Sequence, residues 1–120
     1  MKYMTFVKGP ENAGVPPQAL FDAIDKLIQD QIKSGIFVSG GGLRPTTKGA
    51  RVRITGNNLK VIDGPFTEAK EVIGGFAIIN AASLEEAKRL SKEFMELHIK
   101  LWPGWEGESE IREMEEEVSG

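Results

Sequence analysis

The chain has 120 residues, of which 40% are hydrophobic and 28% are charged, and its formal net charge is −3. This is the size and composition of one globular domain, and no apolar run approaches the roughly 18 residues that a membrane span requires. Cysteine is absent, which excludes disulfides, thiol nucleophiles and thiolate metal sites. Lysine and arginine are scattered, so nucleic acid is not expected as a partner. "MKYMTFVKGP" lacks the features of a signal peptide, and the cytoplasm is the expected location.

The first half of the chain predicts a strand, a helix and a second strand. "YMTFV" (residues 3 to 7) is β-branched and aromatic, as strands are. Apolar residues then recur at helical spacing from Leu20 to Ile32, and Pro17 and Gly35 mark the ends of a helix over roughly residues 17 to 34. "IFVSGGGL" predicts a strand whose glycines indicate a bulge. A phosphate-binding loop is not expected, because "LRPTTKG" lacks the glycine directly before Lys-Ser/Thr.

The second half predicts a hairpin, a central strand, a second helix and a last strand. Apolar and charged residues alternate in "ARVRITGNNLKVID" on either side of a turn at residues 56 to 58. "GGFAIINA" is apolar enough to be a central strand. Ser83 and Glu86 form a capping box that opens helix two, and Pro103 ends it. "GESEIREM" is typical of an edge strand, and the acidic tail over residues 115 to 120 is expected to fray.

This order of elements predicts one α+β domain over residues 1 to 120. Two helices on one face of an antiparallel sheet fit the split βαβ arrangement of ferredoxin-like folds. The other face of the sheet would remain bare and apolar. Because such a face is rare on a soluble monomer, a homodimer is predicted in which the bare faces pack together.

Several segments of the chain resemble one known family. They are "MKYM", "SGGGLRP", "VIDGPFTEAKEVIGGFAII", "SLEEAKRL" and "EGESEIREM". Together they resemble the YCII-related family, and the run from Asp63 to Glu71 resembles the motif of its DGPF branch. Members often have Val-Arg-Pro near the end, where this chain has Ile111-Arg112-Glu113.

The resemblance implies a ferredoxin-like domain of the dimeric α/β-barrel type. It implies no established reaction. The sequence itself contains no cofactor fingerprint, so no cofactor is expected. Members of the branch often sit beside, or are fused to, extracytoplasmic-function sigma factors, which makes a sigma factor a candidate partner. The wider YCII family is proposed to use a His–Asp pair, and relatives in the wider fold group include isomerases, dehydratases and monooxygenases.

Asp63 is the first candidate catalytic residue. It ends a strand directly before Gly64-Pro65, where its carboxylate either accepts from nearby backbone N–H groups in an Asx turn or acts as a general base. Gly64 is expected to adopt a conformation closed to other residues. Phe66 is expected to be buried as the anchor of the turn and is a candidate substrate contact.

Glu68, Lys70 and Glu71 are the charged residues of the same motif. Within one potential helical turn, Glu68 and Glu71 would lie on one face, and two nearby carboxylates raise one pKa, as acid/base chemistry requires. Glu68 is therefore a second candidate catalytic residue and Lys70 a candidate substrate-binding residue. The alternative is a solvated charge cluster that contributes little to stability.

His98 is the third candidate catalytic residue. It is the only histidine and lies four residues after Phe94 on the inward stripe of helix two. It is either a hydrogen-bonded core or interface residue, or a proton shuttle at a pocket. One histidine cannot form a zinc site in a chain without cysteine, and no metal is predicted.

Arg51, Arg53 and Trp102 complete the candidate substrate-binding residues. The two arginines share one strand face and suit a carboxylate, or they are simply exposed charges. Trp102 and Trp105 flank Pro-Gly and either roof an apolar pocket or cap the core.

Two functions remain open on these residues. One is binding of a small polar or carboxylated molecule, with cofactor-independent lyase or isomerase activity of acid/base type. The other is a non-catalytic interaction or ligand-sensing domain linked to sigma-factor-dependent transcription.

Overall fold

The computed structural model describes residues 1 to 115, which form six strands, two α-helices and a short 3-10 helix. In chain order the elements are β1 (Lys2–Gly9), α1 (Gln18–Lys33), β2 (Phe37–Gly42), the 3-10 helix (Thr46–Lys48), β3 (Ala50–Thr55), β4 (Asn58–Asp63), β5 (Val72–Asn80), α2 (Leu84–Leu101) and β6 (Glu108–Glu113). Every helix and strand expected from the sequence is present, with bounds that agree to within two residues. The expected frayed tail lies outside the described residues apart from Glu115. Neither α-helix in the described region is long and apolar enough to cross a membrane.

The main sheet has four strands in the order β2-β5-β1-β6, and every neighbouring pair is antiparallel. With α1 between β1 and β2 and α2 between β5 and β6, this is the ferredoxin-like topology, which confirms the predicted fold class. β5 is central and β6 is an edge strand, as predicted. The β3–β4 hairpin is inserted between β2 and β5 and forms a separate two-stranded sheet.

The core lies between one face of the main sheet and the two helices. Tyr3 and Ile79 are paired across β1 and β5 and are buried against Ala87 and Leu90 of α2. Because side chains alternate along a strand, the residues next to this core pair, such as Met4 and Ile78, lie on the other face. That outer face carries no helix in the described part of the chain.

Local sequence signals account for the start of α2 and for the hairpin turn. The backbone N–H of Glu86 donates to Ser83 Oγ at 3.2 Å, and the Glu86 carboxylate accepts from the backbone N–H of Ala82 at 3.3 Å. The predicted capping box is therefore present, although it reaches back one residue further than Ser83. Gly56 and Asn57 both have positive φ, 55° and 67°, as a two-residue hairpin turn of type I′ requires.

The β-bulge expected at the glycines of β2 lies elsewhere in the strand. The register of β2 against β5 shifts between Phe37 and Ser39, so the bulge lies at Val38 and not within the glycines. Gly40 to Gly42 pair regularly with β5. A Cβ at Gly40 would approach the carbonyl oxygen of Phe76 to 2.6 Å, so this glycine allows a close approach of the two strands.

Candidate functional site

A cavity of about 620 Å³ lies between the two helices and the main sheet. Its sheet wall includes Thr5 and Val7 of β1, and its helix wall includes Ile28 of α1 and Phe94 and His98 of α2. The three helix residues belong to the apolar stripes predicted from the sequence, and the stripes do not close completely over the sheet. A cavity of this volume is within the range that holds small-molecule ligands, and its walls are mainly apolar.

His98 is the most buried ionisable group in this cavity, with 6% of its surface exposed. Its Nδ1 lies 3.2 Å from the carbonyl oxygen of Phe94, one turn earlier in α2. Because a carbonyl oxygen only accepts, Nδ1 carries the proton, and the neutral ring keeps a lone pair on Nε2. Burial lowers the pKa of His98, while the hydrogen bond to Phe94 acts in the opposite direction. A neutral imidazole in this position can accept a hydrogen bond or a proton through Nε2.

Aromatic rings hold the imidazole on two sides. The His98 ring lies 5.1 Å from the Phe94 ring and 4.9 Å from the Trp105 ring, measured between centroids. Trp102 stacks on Trp105 at 5.6 Å with 15° between the ring planes. Both tryptophans line the cavity. Of the two alternatives that the sequence leaves open, this position favours the roof of an apolar pocket over a cap of the core.

Glu11 and Arg44 are the charged residues of the cavity lining. The carboxylate of Glu11 accepts from Thr46 Oγ1 at 2.6 Å and from the Thr46 backbone N–H at 2.7 Å. These two bonds, the hydroxyl first, lower the pKa of Glu11. Arg44 is exposed and forms no ion pair or hydrogen bond with the described residues. The Glu11 carboxylate is therefore bonded to Thr46, whereas the Arg44 guanidinium is available to bind an anion.

The DGPF segment lies outside this cavity and supports a loop of its lining. The backbone N–H of Phe66 donates to Thr46 Oγ1 at 3.1 Å, and the backbone N–H of Gly64 donates to the Gly49 carbonyl at 2.9 Å. Thr46 thus joins the DGPF turn on one side to Glu11 of the cavity lining on the other. The motif fixes the loop after β2, which carries Arg44.

The expected roles of Asp63 and Gly64 are corrected by this geometry. Asp63 is exposed and its carboxylate accepts no hydrogen bond from residues 1 to 115, so the Asx turn is absent. The backbone N–H of Gly64, which such a turn would use, is bonded to Gly49 instead. Gly64 is also not in the positive-φ region. It is required because a Cβ there would overlap the carbonyl oxygen of Thr46.

Glu68 and Glu71 do not share a helical face. Residues 66 to 69 form a turn closed by the Ala69 N–H and the Phe66 carbonyl at 3.1 Å, and no helix follows. Glu68 instead pairs with Arg51 of β3 at 2.5 Å. The backbone N–H of Glu68 itself, followed by Arg51, lowers its pKa, the opposite of the direction that an acid/base role requires.

Phe66 is half-buried, and the guanidinium of Arg51 lies 3.8 Å from the centre of its ring. At the base of the hairpin, Arg51 therefore contacts both Glu68 and Phe66. Phe66 anchors the turn partly as predicted, although through this stacking more than through full burial.

The structure thus separates the candidate site residues into two groups. His98 and Trp102 line the cavity. The others do not belong to its lining: Arg51, Arg53, Asp63, Phe66, Glu68 and Lys70. Sequence analysis did not identify Arg44 or Glu11 as site residues. Arg44 could have been recognised from its position in the loop just after the glycine-rich strand, because loops at the ends of strands often carry functional residues.

The described residues contain no group of three or more histidine, aspartate or glutamate side chains placed to hold a metal ion. The polar groups of the cavity lining include the His98 ring, the Arg44 guanidinium, the Gln31 amide and a few hydroxyl groups. Among the latter, Ser109 Oγ contacts Ser91 Oγ at 3.5 Å, a long and weak hydrogen bond.

Comparison with known proteins agrees with this architecture. The model of the YCII-related domain matches residues 1 to 94, which include β1 to β5 and the first half of α2. An uncharacterised protein of Rhizobium meliloti (strain 1021) is 43% identical over 51 residues, a match that covers 42% of this chain and 41% of the length of that relative. On the strength of the family match, which extends over most of the fold, the chain belongs to the family of YCII-related domain proteins.

Proposed function

We propose that the protein binds a small, largely apolar molecule with an anionic group in the cavity between its helices and its main sheet. The observation that carries this proposal is the cavity of about 620 Å³, which is lined mainly by apolar side chains. It also contains the buried His98 and Arg44, which has no ion-pair partner among residues 1 to 115. Apolar walls supply affinity, and a few placed polar groups supply orientation. Arg44 would bind the anion, in the role that sequence analysis gave to Arg51 and Arg53.

A pair of fluorescent probes can test the two halves of this proposal separately. 1-Anilinonaphthalene-8-sulfonate and N-phenyl-1-naphthylamine share the aromatic body, and only the first carries an anionic group. We expect both to bind the folded protein with a stoichiometry of one. The variant Arg44→Ala should weaken binding of the sulfonate about fivefold, the effect of losing one partly exposed charge pair, and leave the neutral probe unchanged.

Lys48→Ala is the matched control, because Lys48 is an exposed cation close in sequence that does not line the cavity. It should change neither affinity. Equal effects of Arg44→Ala on both probes, or no saturable binding of either, would contradict the proposal. Near-ultraviolet circular dichroism of each variant verifies that the probes report on a folded protein.

Acid/base catalysis at His98 is a second candidate, because Nε2 forms no hydrogen bond with the described residues. A single buried imidazole can remove a proton from a ligand that the cavity places against it. The described residues provide no carboxylate bonded to His98, so a catalytic His–Asp or His–Glu pair is not part of this proposal. Binding without chemistry, as in a ligand-sensing domain, would use the same cavity.

Imidazole nitrogen NMR can decide whether His98 is competent as a base. Since His98 is the only histidine, its two ring nitrogens can be assigned without ambiguity. We expect a protonated Nδ1 and an unprotonated Nε2 at neutral pH. A doubly protonated ring at pH 7, or a proton on Nε2, would remove the basis for this second candidate.

A further inference from the structure

The sheet wall of the cavity carries almost no side chains over part of its area. Ile79 belongs to the core and therefore marks the face of β5 that is turned toward the helices. Since residues two apart share a face, Ala77 and Gly75 lie on the same side. Directly opposite them on β2 are Gly40 and Gly42. All four of these residues line the cavity, and we call them the glycine floor.

The glycine floor is open to the cavity. Gly40 and Gly42 are exposed, although they lie on the face that the helices cover elsewhere. The cavity lining also includes Ile24 and Ile28 of α1, which are only half-buried although they belong to the apolar stripe of that helix. The space between α1 and the floor is therefore part of the cavity and not part of the core.

The packing of the described residues requires glycine at Gly40 but not at Gly42. A Cβ at Gly40 would come within 2.6 Å of the Phe76 carbonyl oxygen. A Cβ at Gly42 would meet no atom closer than 3.9 Å, which is ordinary van der Waals contact, and the φ of Gly42 is not positive. A side chain at Gly42 would therefore fit the fold and would project into the cavity. Glycine inside a strand often marks a site where a ligand lies close to the backbone.

The shape of the glycine floor suits a flat ring system. Neighbouring strands are about 4.8 Å apart and residues two apart on one strand about 6.8 Å, so the floor covers roughly 5 Å by 7 Å of nearly bare backbone. A planar molecule can contact such a surface over its whole face, and dispersion attraction depends on that closeness. Aromatic side chains, which pack favourably with other rings, form much of the remaining lining: Phe21, Phe37, Phe94, Trp102 and Trp105.

Arg44 lies at the edge of this floor. The backbone N–H of Leu43 donates to the Gly74 carbonyl at 2.9 Å, so the chain stays attached to β5 up to that residue. Arg44 follows directly, and its Cα is at most about 7 Å from the Cα of Gly42. Because Arg44 also lines the cavity, its guanidinium can reach an anionic group that is attached close to a ring on the floor.

We propose that the ligand is a planar aromatic acid, whose ring system lies on the glycine floor and whose carboxylate or sulfonate binds Arg44. This inference rests on the proposed function, which gives the ligand an apolar body and an anionic group, and it adds the shape of the body. A puckered alicyclic acid of the same size has the same charge but places only a few of its atoms against the floor. Gly42 is then the residue that determines how thick a ligand the cavity accepts.

The first experiment compares two acids that differ in shape. 2-Naphthoate and decahydro-2-naphthoate share one carbon skeleton and one carboxylate, and only the first is planar. Isothermal titration calorimetry should give a dissociation constant at least about tenfold lower for 2-naphthoate, because its rings contact the floor over their whole face.

Equal dissociation constants, or no binding of 2-naphthoate, would overturn the assignment of a planar ligand. The proposed function would stand in that case if 1-anilinonaphthalene-8-sulfonate still bound and still responded to Arg44→Ala. Failure of the sulfonate probe as well would contradict the proposed function itself, so the two failures are distinguishable.

The second experiment fills the floor. Gly42→Val adds a β-branched side chain of the kind that strands favour, and it should weaken binding of 2-naphthoate at least about tenfold. Gly42→Ala is the smaller step in the same direction and should have an intermediate effect. Near-ultraviolet circular dichroism verifies that each variant is folded, and Gly42→Ala alone decides the test if Gly42→Val is not.

Gly41→Val is the matched control, because Gly41 is the next residue of the same strand and a Cβ there would meet no atom within 4 Å. Its backbone borders the cavity, but alternation along the strand turns an added side chain to the other face of the sheet. It should leave the affinity for 2-naphthoate unchanged. Equal dissociation constants for the Gly41 and Gly42 variants would overturn the assignment of the ring to the glycine floor.

Discussion

His98 combines burial with a proton equilibrium near neutral pH. Burial in the cavity lowers its pKa in the folded protein, and in the unfolded chain the pKa returns to its ordinary value of about 6.5. Between these two values the unfolded chain binds a proton that the folded protein excludes. The stability contributed by the neutral ring is therefore complete above pH 6.5 and decreases as the pH falls below it.

This linkage predicts a pH dependence that belongs to one residue. From pH 7.5 to pH 5.5 the free energy of unfolding of the wild-type protein should decrease more than that of His98→Gln, which has no titrating group at this position. Urea denaturation at the two pH values measures the difference. The carboxylates with lowered pKa values, Glu11, Glu68 and Glu110, contribute only at lower pH and are common to both proteins. Equal decreases would mean that His98 is not desolvated in solution.

Gly64 is restrained by contact rather than by its φ angle. A Cβ at this position would overlap the carbonyl oxygen of Thr46, which is main chain and cannot rotate away. Gly64→Ala should therefore cost about 2 kcal/mol of unfolding free energy, as overpacking against a rigid neighbour does. Gly41→Ala is the matched control, since a Cβ there meets no atom within 4 Å, and it should cost much less. Similar urea midpoints for the two variants would show that the loop around Thr46 moves freely.

At the scale of the elements, the start of α2 is held by one side-chain hydrogen bond whose effect can be measured. Ser83 Oγ accepts from the N–H of Glu86, which would otherwise lack a partner in the first turn. Ser83→Ala should lower the free energy of unfolding by about 1 kcal/mol. Ser34→Ala removes a serine at the end of α1 whose hydroxyl bonds only to the Gln31 carbonyl, and it should change stability by less than about 0.5 kcal/mol. A larger effect at Ser34 would contradict the capping argument.

The elements that could be predicted from sequence are those controlled by local rules. The apolar spacing of the two helices, the Ser83 capping box and the Gly56-Asn57 turn each depend on residues close in the chain, and each is confirmed. The order of the elements then predicted the ferredoxin-like sheet, since this arrangement buries the inward stripes of both helices.

The candidate site was predicted less well because its geometry depends on distant residues. The Gly64 N–H bonds to Gly49 and the Phe66 N–H to Thr46, and these contacts replace the local Asx turn expected around Asp63. Glu68 likewise finds Arg51, 17 residues earlier, and not Glu71. The sequence of the motif did not indicate which distant residues it contacts. For His98 the helical spacing predicted that the side chain faces inward, and the structure places it in the lining of the cavity.

At the scale of the whole molecule, the two layers of the fold are close-packed at one end and separated at the other. Tyr3, Ala81 and Ala87 pack together at one end of the core, whereas the cavity occupies the region between Val7 and His98. Protein interiors are normally packed without voids of this size, so a chain that maintains one gives up stability there. Filling the cavity should therefore raise stability and remove binding together.

Ser91 is the position at which this exchange can be tested. It is buried and lines the cavity, and its side chain makes a single, long hydrogen bond within residues 1 to 115, to Ser109. Ser91→Leu adds apolar groups where the cavity has room, and we expect the free energy of unfolding to increase by about 1 kcal/mol. Affinity for N-phenyl-1-naphthylamine should fall at least about tenfold, because the same space can no longer hold the probe.

The control Lys92→Leu places an equal side chain on the exposed neighbour in α2 and should leave affinity unchanged. Lower stability of Ser91→Leu with unaltered probe binding would show that the probe occupies another part of the protein.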